Sequence, residues 1–146
     1  MREGTACAAE ALHQGSTVTD EEERMTTTNL TAETFKPAIE ADGIVLVDFW
    51  AQWCGPCRQF GPIFDAASEQ HTDVTFGKID TEAEPQLSGG LGISSIPTLM
   101  AFRDGILLYS QPGALPAPAL EQLIEAVKSA DMDDVRSKLA EQQAQN

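Results

Sequence analysis

The run "GIVLVDFW", residues 43–50, is followed after only three residues by Cys54-Gly55-Pro56-Cys57, and this junction constrains the fold more than any other part of the chain. The run is rich in β-branched and aromatic residues, with apolar side chains on both alternating faces. That is the pattern of a strand covered on both sides, and hence of a central strand in a layered α/β sheet. Pro56 suits the first turn of a helix. The cysteine pair is therefore expected on a strand-to-helix turn, followed by an apolar helical stripe of Phe60, Ile63, Phe64 and Ala67, with Pro62 kinking the helix.

Around this junction the remaining elements read as alternating strands and helices. "TTNL" is a short strand, and Thr31 is an N-cap for a helix that carries Phe35 and Ile39 inward and is shortened or kinked by Pro37. "VTFGKID" is a strand and "EPQLSGGLG" a weak helical turn. "PTLMAFRDGILLYS" is a hairpin over Asp104-Gly105, and "PAPALEQLIEAVKSA" a closing helix. Helices between the early strands imply parallel pairing, and the late hairpin adds antiparallel strands. The expected fold is α/β, with a central mixed sheet flanked by helices on both faces.

Composition divides the 146 residues into three parts: a small, polar, acidic extension over 1–24, a folded domain over 25–130, and a polar tail over 131–146. The extension has too little apolar surface to order itself, and its apolar residues are broken up by Glu10, His13 and Gln14, so no export signal is read there. The tandem acidic codons of "EEER" before Met25 leave Met1 and Met25 open as translation starts. In the tail, Met132, Val135 and Leu139 make a thin stripe, at best a frayed helix. With 23 acidic against 9 basic residues, the formal charge is −14, which repels phosphate backbones and anionic lipid. No nucleic acid or membrane partner is expected. Three cysteines, Cys7 a bystander among them, suit a reducing compartment.

The Cys54–Cys57 pair has three possible uses. A structural zinc site usually needs four ligands, and His71 stands alone beyond the helix. A staple between residues three apart removes little unfolded-state entropy. Reversible oxidation remains, because Cβ atoms at this spacing in a first helical turn lie close enough to bridge. The helix N-terminus favours a thiolate at Cys54, making it the nucleophile, while Cys57, expected deeper and less ionised, resolves. Gly55-Pro56 adds no positive charge between them, which points to a reductant. Asp48, inside the central strand, is expected to be buried with a raised pKa and to take the Cys57 proton. The plainer reading is a solvent-facing strand-edge acid.

"VDFWAQWCGPCRQFGP" resembles the active-site segment of the thioredoxin family of the WCGPC type, and the resemblance extends over roughly residues 27–130 through "FGKID", "SIPTLMAFRDG" and "PGAL". It implies the thioredoxin fold and a general protein-disulfide reductase, an enzyme with no bound cofactor or metal. Electrons would come from NADPH through a flavin-containing thioredoxin reductase, the clients being disulfide-containing proteins, in the cytoplasm and as a monomer. By position the resemblance implies Cys54 as nucleophile, Cys57 as resolving thiol, Asp48 as proton acceptor and Lys78 as its modulating neighbour. Trp50 and Trp53 would be the flanking indoles, and Ile96-Pro97 a cis bond facing the cysteines, with Ile96 offering backbone hydrogen bonds to a bound peptide. Gly55, Pro56 and Gly113 would complete the docking surface. The residues alone leave duller readings open: Trp50 as a core aromatic, Lys78 as a surface lysine, Pro97 as a strand-entry proline, Gly113 as a turn. A docking module or a disulfide-forming oxidant also remain, and Gly55-Pro56 favours neither. The N-terminal extension, Pro37, Gly89-Gly90 and the polar tail depart from the family pattern.

Overall fold

Residues 26–145 are described by the structure, a computed structural model. The expectations for residues 1–24, for Met25 as a start and for Cys7 lie outside these described residues. The elements run β1 (Thr27–Asn29), α1 (Ala32–Glu40), β2 (Ile44–Trp50), α2 (Gly55–Gln70), β3 (Val74–Asp80), α3 (Pro85–Gly90), β4 (Thr98–Arg103), β5 (Ile106–Pro112), α4 (Ala117–Ser129) and α5 (Met132–Gln145). The sheet order is β1-β3-β2-β4-β5, which puts β2 in the middle. It pairs parallel with β3 and antiparallel with β4.

Alternation along β2 divides the core in two. Leu46 points into a cluster with Phe60 and Phe64 of α2, Phe76 of β3, and Leu120 and Ile124 of α4. Val45, Val47 and Phe49 point the other way, against Phe35 of α1, Ile79 and Phe102, with Leu87 and Leu91 of the α3 region packed beside them. By the same alternation Asp48 shares the α2 side with Leu46. A carboxylate is thereby carried into a layer that is otherwise apolar.

Local chemistry sets the element ends. The Thr31 hydroxyl accepts from Thr34 N–H while Thr34 Oγ1 accepts from Thr31 N–H at 2.8 Å, a reciprocal cap for α1. Helix α1 continues through Pro37 and ends after nine residues. The β4–β5 turn places both Asp104 (φ 54°) and Gly105 (φ 82°) in the left-handed region, as a two-residue hairpin turn requires. Asp104 also ties the turn to the start of β2, its carboxylate accepting from Gly43 N–H at 2.9 Å. Arg103 donates to the carbonyls of Val127, Lys128 and Ala130, closing the C-terminal end of α4.

Two features of the sequence reading change. The tail forms the 14-residue helix α5, anchored by buried Met132 and by an Arg136–Asp104 ion pair of 3.4 Å. His71 is not alone: its Nε2 lies 2.8 Å from Glu121 and its Nδ1 3.0 Å from Lys128, joining the end of α2 to α4.

Phe64 carries much of the pressure of α2 on the sheet, its ring centroid 5.7 Å from that of Phe60 and 5.1 Å from that of Phe76. Phe64→Ala should lower unfolding stability by about 3–5 kcal/mol, read from urea denaturation. A loss under about 1 kcal/mol would show that α2 is held mainly by other contacts.

Candidate active site

Helix α2 starts at the cysteines. Cys54 is its N-cap, in an extended backbone conformation, and its Sγ accepts from Cys57 N–H at 3.2 Å. Cys54 and Cys57 form a disulfide with a Cα–Cα distance of 5.2 Å. A sulfur at this position faces the unpaired N–H groups and the positive end of the helix, which stabilise it when it leaves as a thiolate. The two cysteines are equally buried, at 4% and 5% exposure, so depth does not separate them as the sequence reading expected. Surroundings do. Cys54 Sγ lies 3.7 Å from the Ile96 carbonyl oxygen, whereas Cys57 lines a cleft running under α2.

That cleft, of 290 Å³, is lined by Asp48, Trp50, Cys57, Pro62, Asp65 and Lys78, among others, and is large enough for several waters. Asp48 is 1% exposed, and neither carboxylate oxygen has a hydrogen-bond partner within the protein. Burial pushes its pKa up to about 7, opposed by the Lys78 charge and assisted by that of Asp65. The strand-edge reading of Asp48 is thus excluded. Lys78 sits beside Asp48 in the β2–β3 register and is only 19% exposed, yet its ammonium pairs with Asp65 at 3.3 Å. Asp65 was absent from the sequence reading. Its signal was spacing: Cys57, Gly61 and Asp65 stand four apart, on one face of α2.

Above the disulfide, Trp53 is 65% exposed, the largest apolar side chain left open beside the site. Trp50 is half-buried against Ala51 and the cysteines, and its indole N–H is without a partner. The Ile96–Pro97 bond is cis, and Ile96 packs on the same small cluster as the cysteines. Gly113, at φ 109°, donates its N–H to the Pro97 carbonyl at 2.7 Å, which holds its loop against the cis bond. A Cβ on Gly55 or Gly113 would meet nothing within 4 Å, so both leave open surface. Pro56 is exposed in the first turn of α2, as is Pro62 further along it. Arg58, from the same helix, donates to the Gln52 carbonyl at 2.9 Å and steadies the loop that presents Trp53.

The arrangement joins a sulfur at the cap of α2, a second sulfur lining a cleft that can hold several waters, and a buried carboxyl lining the same cleft. Such a set can break and remake a disulfide while moving one proton. Among the described residues no group of three or more metal-ligating side chains comes together, and no helix is long and apolar enough to cross a membrane.

The family model described as Thioredoxin matches residues 26–126. Over 119 residues the chain is 52% identical to a putative thioredoxin 2 of Streptomyces coelicolor, covering 82% of this chain and 89% of that protein. It is 43% identical over 96 residues to a thioredoxin of Alicyclobacillus acidocaldarius, covering 65% of this chain and 91% of that protein. Among solved structures, a variant thioredoxin from Halobacterium salinarum superposes with a TM-score of 0.64 at 33% identity, covering 68% of this chain and 88% of that one. A thioredoxin of Malassezia sympodialis gives 0.63 at 31% identity, covering 69% and 90%.

The raised pKa of Asp48 has a consequence for stability. Between its ordinary value of 3.8 and about 7, the folded protein holds a proton that the unfolded chain releases, so stability falls as pH rises through this window. Asp48→Asn removes that cost. The variant should be more stable than the parent at pH 8, by at most on the order of 4 kcal/mol, with the difference shrinking towards pH 4. Denaturation midpoints at the two pH values check this; a pH-independent difference would contradict it.

Proposed function

As the chain belongs to the thioredoxin family and is a protein-disulfide oxidoreductase, we propose the following division of labour within its cycle. The Cys54 thiolate attacks one sulfur of a client disulfide. That S–S bond breaks, one client sulfur leaves as a thiolate, and a mixed disulfide forms at Cys54. Cys57 then gives its proton to the ionised Asp48 carboxylate and attacks Cys54 Sγ. The second client sulfur leaves, and Cys54–Cys57 forms. Two electrons have passed from the dithiol to the client.

The observation that carries this reading is the placement of Cys57 and Asp48 on one cleft, with Cys54 as the cap of α2. An acid with a pKa of about 7 is half ionised near neutrality, which suits a group that must take a proton and give it up again. Lys78 modulates that acid through its charge. Trp53, Gly55, Pro56, Ile96 and Gly113 offer an open, largely apolar surface around the sulfurs, with Pro97 buried beneath Ile96, and this supports docking of an extended client segment by backbone hydrogen bonds to Ile96. Trp50 and Pro62 shape the cleft. The catalytic unit is residues 25–130, with a polar tail over 131–146 and an acidic extension over 1–24 appended to it.

We further propose that a flavin-containing thioredoxin reductase returns the electrons from NADPH, that the protein works as a monomer on several clients, and that it does so in the cytoplasm. The Gly55-Pro56 spacer, which adds no positive charge to stabilise a thiolate, favours a reducing pair.

The first experiment is the equilibrium potential of the Cys54–Cys57 couple, together with insulin reduction driven by NADPH and thioredoxin reductase. A potential below the glutathione poise with sustained NADPH consumption is expected; a markedly oxidising potential would reverse the direction of electron flow. Cys54→Ser should abolish turnover, and Cys57→Ser should accumulate a client adduct at Cys54, visible by mass. Asp48→Asn should slow turnover at pH 7 by up to about 10²-fold with the fold intact. Unchanged turnover across pH would remove Asp48 from the proton path.

A further inference from the structure

Lys78 has two acids within reach. Its strand position is the direct register partner of Asp48 on β2, and the two side chains line the same cleft. An ammonium there could pair with Asp48 directly. Instead its Nζ lies 3.3 Å from Asp65 Oδ1 on α2, and both oxygens of Asp48 are left without any hydrogen-bond partner in the protein. The lysine stands beside the buried acid in the sheet, and its ammonium ends on the more exposed one.

The charged and titratable groups facing Asp48 can be named from each element that packs on it. Helix α2 contributes Cys57, Asp65 and Arg58, the last with its guanidinium committed to the Gln52 carbonyl. Strand β3 contributes Lys78, and β4 contributes only apolar Leu99 opposite Asp48. The choice made by Lys78 between two carboxylates is therefore the main electrostatic variable of the site.

We propose that Asp65 is a positioning residue for the resolving step: by holding the Lys78 ammonium on α2, it denies Asp48 a full ion pair and leaves that carboxylate basic enough to take the Cys57 proton. The inference rests on the reading of Asp48 as proton acceptor. A direct Asp48–Lys78 pair would favour the ionised carboxylate and make it a weak base, since an adjacent opposite charge lowers a carboxyl pKa by about 1–3 units. With no cation nearby, desolvation alone would keep Asp48 protonated at neutral pH and unable to accept. Lys78 held by Asp65 gives the intermediate case, in which the two charges act on Asp48 in opposite senses and partly offset each other. The Asp65 end of the pair is 46% exposed, so water screens it and the pair adds little to folding.

The test is a carbon-13 NMR titration of the Asp48 carboxyl in the oxidised full-length protein, for the parent, Asp65→Asn, Asp65→Glu, Lys78→Met and the Asp65→Asn, Lys78→Met double variant. Asp65→Asn should move the Asp48 midpoint down by about one pH unit, a tenfold loss of proton affinity, as Lys78 turns to Asp48. Asp65→Glu should restore it, and the acid limb of the pH profile for insulin reduction should move in parallel. In the Lys78→Met background the Asp65→Asn shift should fall below half its size. A midpoint that stays or rises in Asp65→Asn overturns the proposal, and so does an undiminished shift without Lys78, which would mean that Asp65 acts on Asp48 directly. The titration needs no turnover, so it fails or succeeds independently of whether Asp48→Asn slows catalysis.

Discussion

Every part of this protein that does chemistry depends on β2 being covered on both faces. Leu46 and Phe49 are fully buried on opposite sides of the strand, and α2 and α4 on one face, with α1 and α3 on the other, exist to keep them so. Each large side chain buried in this way contributes about 1.5–3 kcal/mol of transfer free energy. That apolar excess allows one position, Asp48, to be spent on a buried carboxyl. The same packing seats α2 with its first turn near the end of β2, so Cys57 and the acid line one cleft.

Electrostatics then divides the site into two halves with opposite demands. Around Cys54 the helix N-terminus supplies fixed N–H dipoles that favour negative charge on sulfur. Around Asp48 the apolar layer withholds such support, and an acid that would be ionised in water holds its proton to near neutrality. One half of the site thus favours negative charge and the other disfavours it, within a few residues of each other on α2 and β2. Asp48 lines the cleft, yet both its oxygens stay closed to solvent and unpaired within the protein.

Much of this was legible in the residues. The central strand, the Asp104-Gly105 hairpin, the Thr31 cap and the cysteine turn all come from local chemistry, in which side-chain type and spacing decide the backbone. What could not be read depends on residues far apart in the chain. His71 finds Glu121 and Lys128 more than 45 positions away, and Lys78 finds Asp65 across a helix and a turn. Helix α5 looked frayed because its apolar stripe is thin; Met132 in the core and the Arg136–Asp104 pair supply what the stripe lacks. The relative depth of the two cysteines was misjudged for the same reason, since it depends on Ile96 and Ala51, which the cysteine segment alone does not place.

The near-equal burial of the two sulfurs bears on how the protein lives among other thiols. Both cysteines are nearly closed to solvent, with Ile96 and Trp50 packed against them. Thiol–disulfide exchange needs direct access to sulfur, so burial restricts it. Trp53 and Gly113, both exposed, leave open surface beside the buried pair. Burial of both sulfurs thus makes exchange at this pair depend on the shape of what approaches it as well as on the approaching thiol's chemistry.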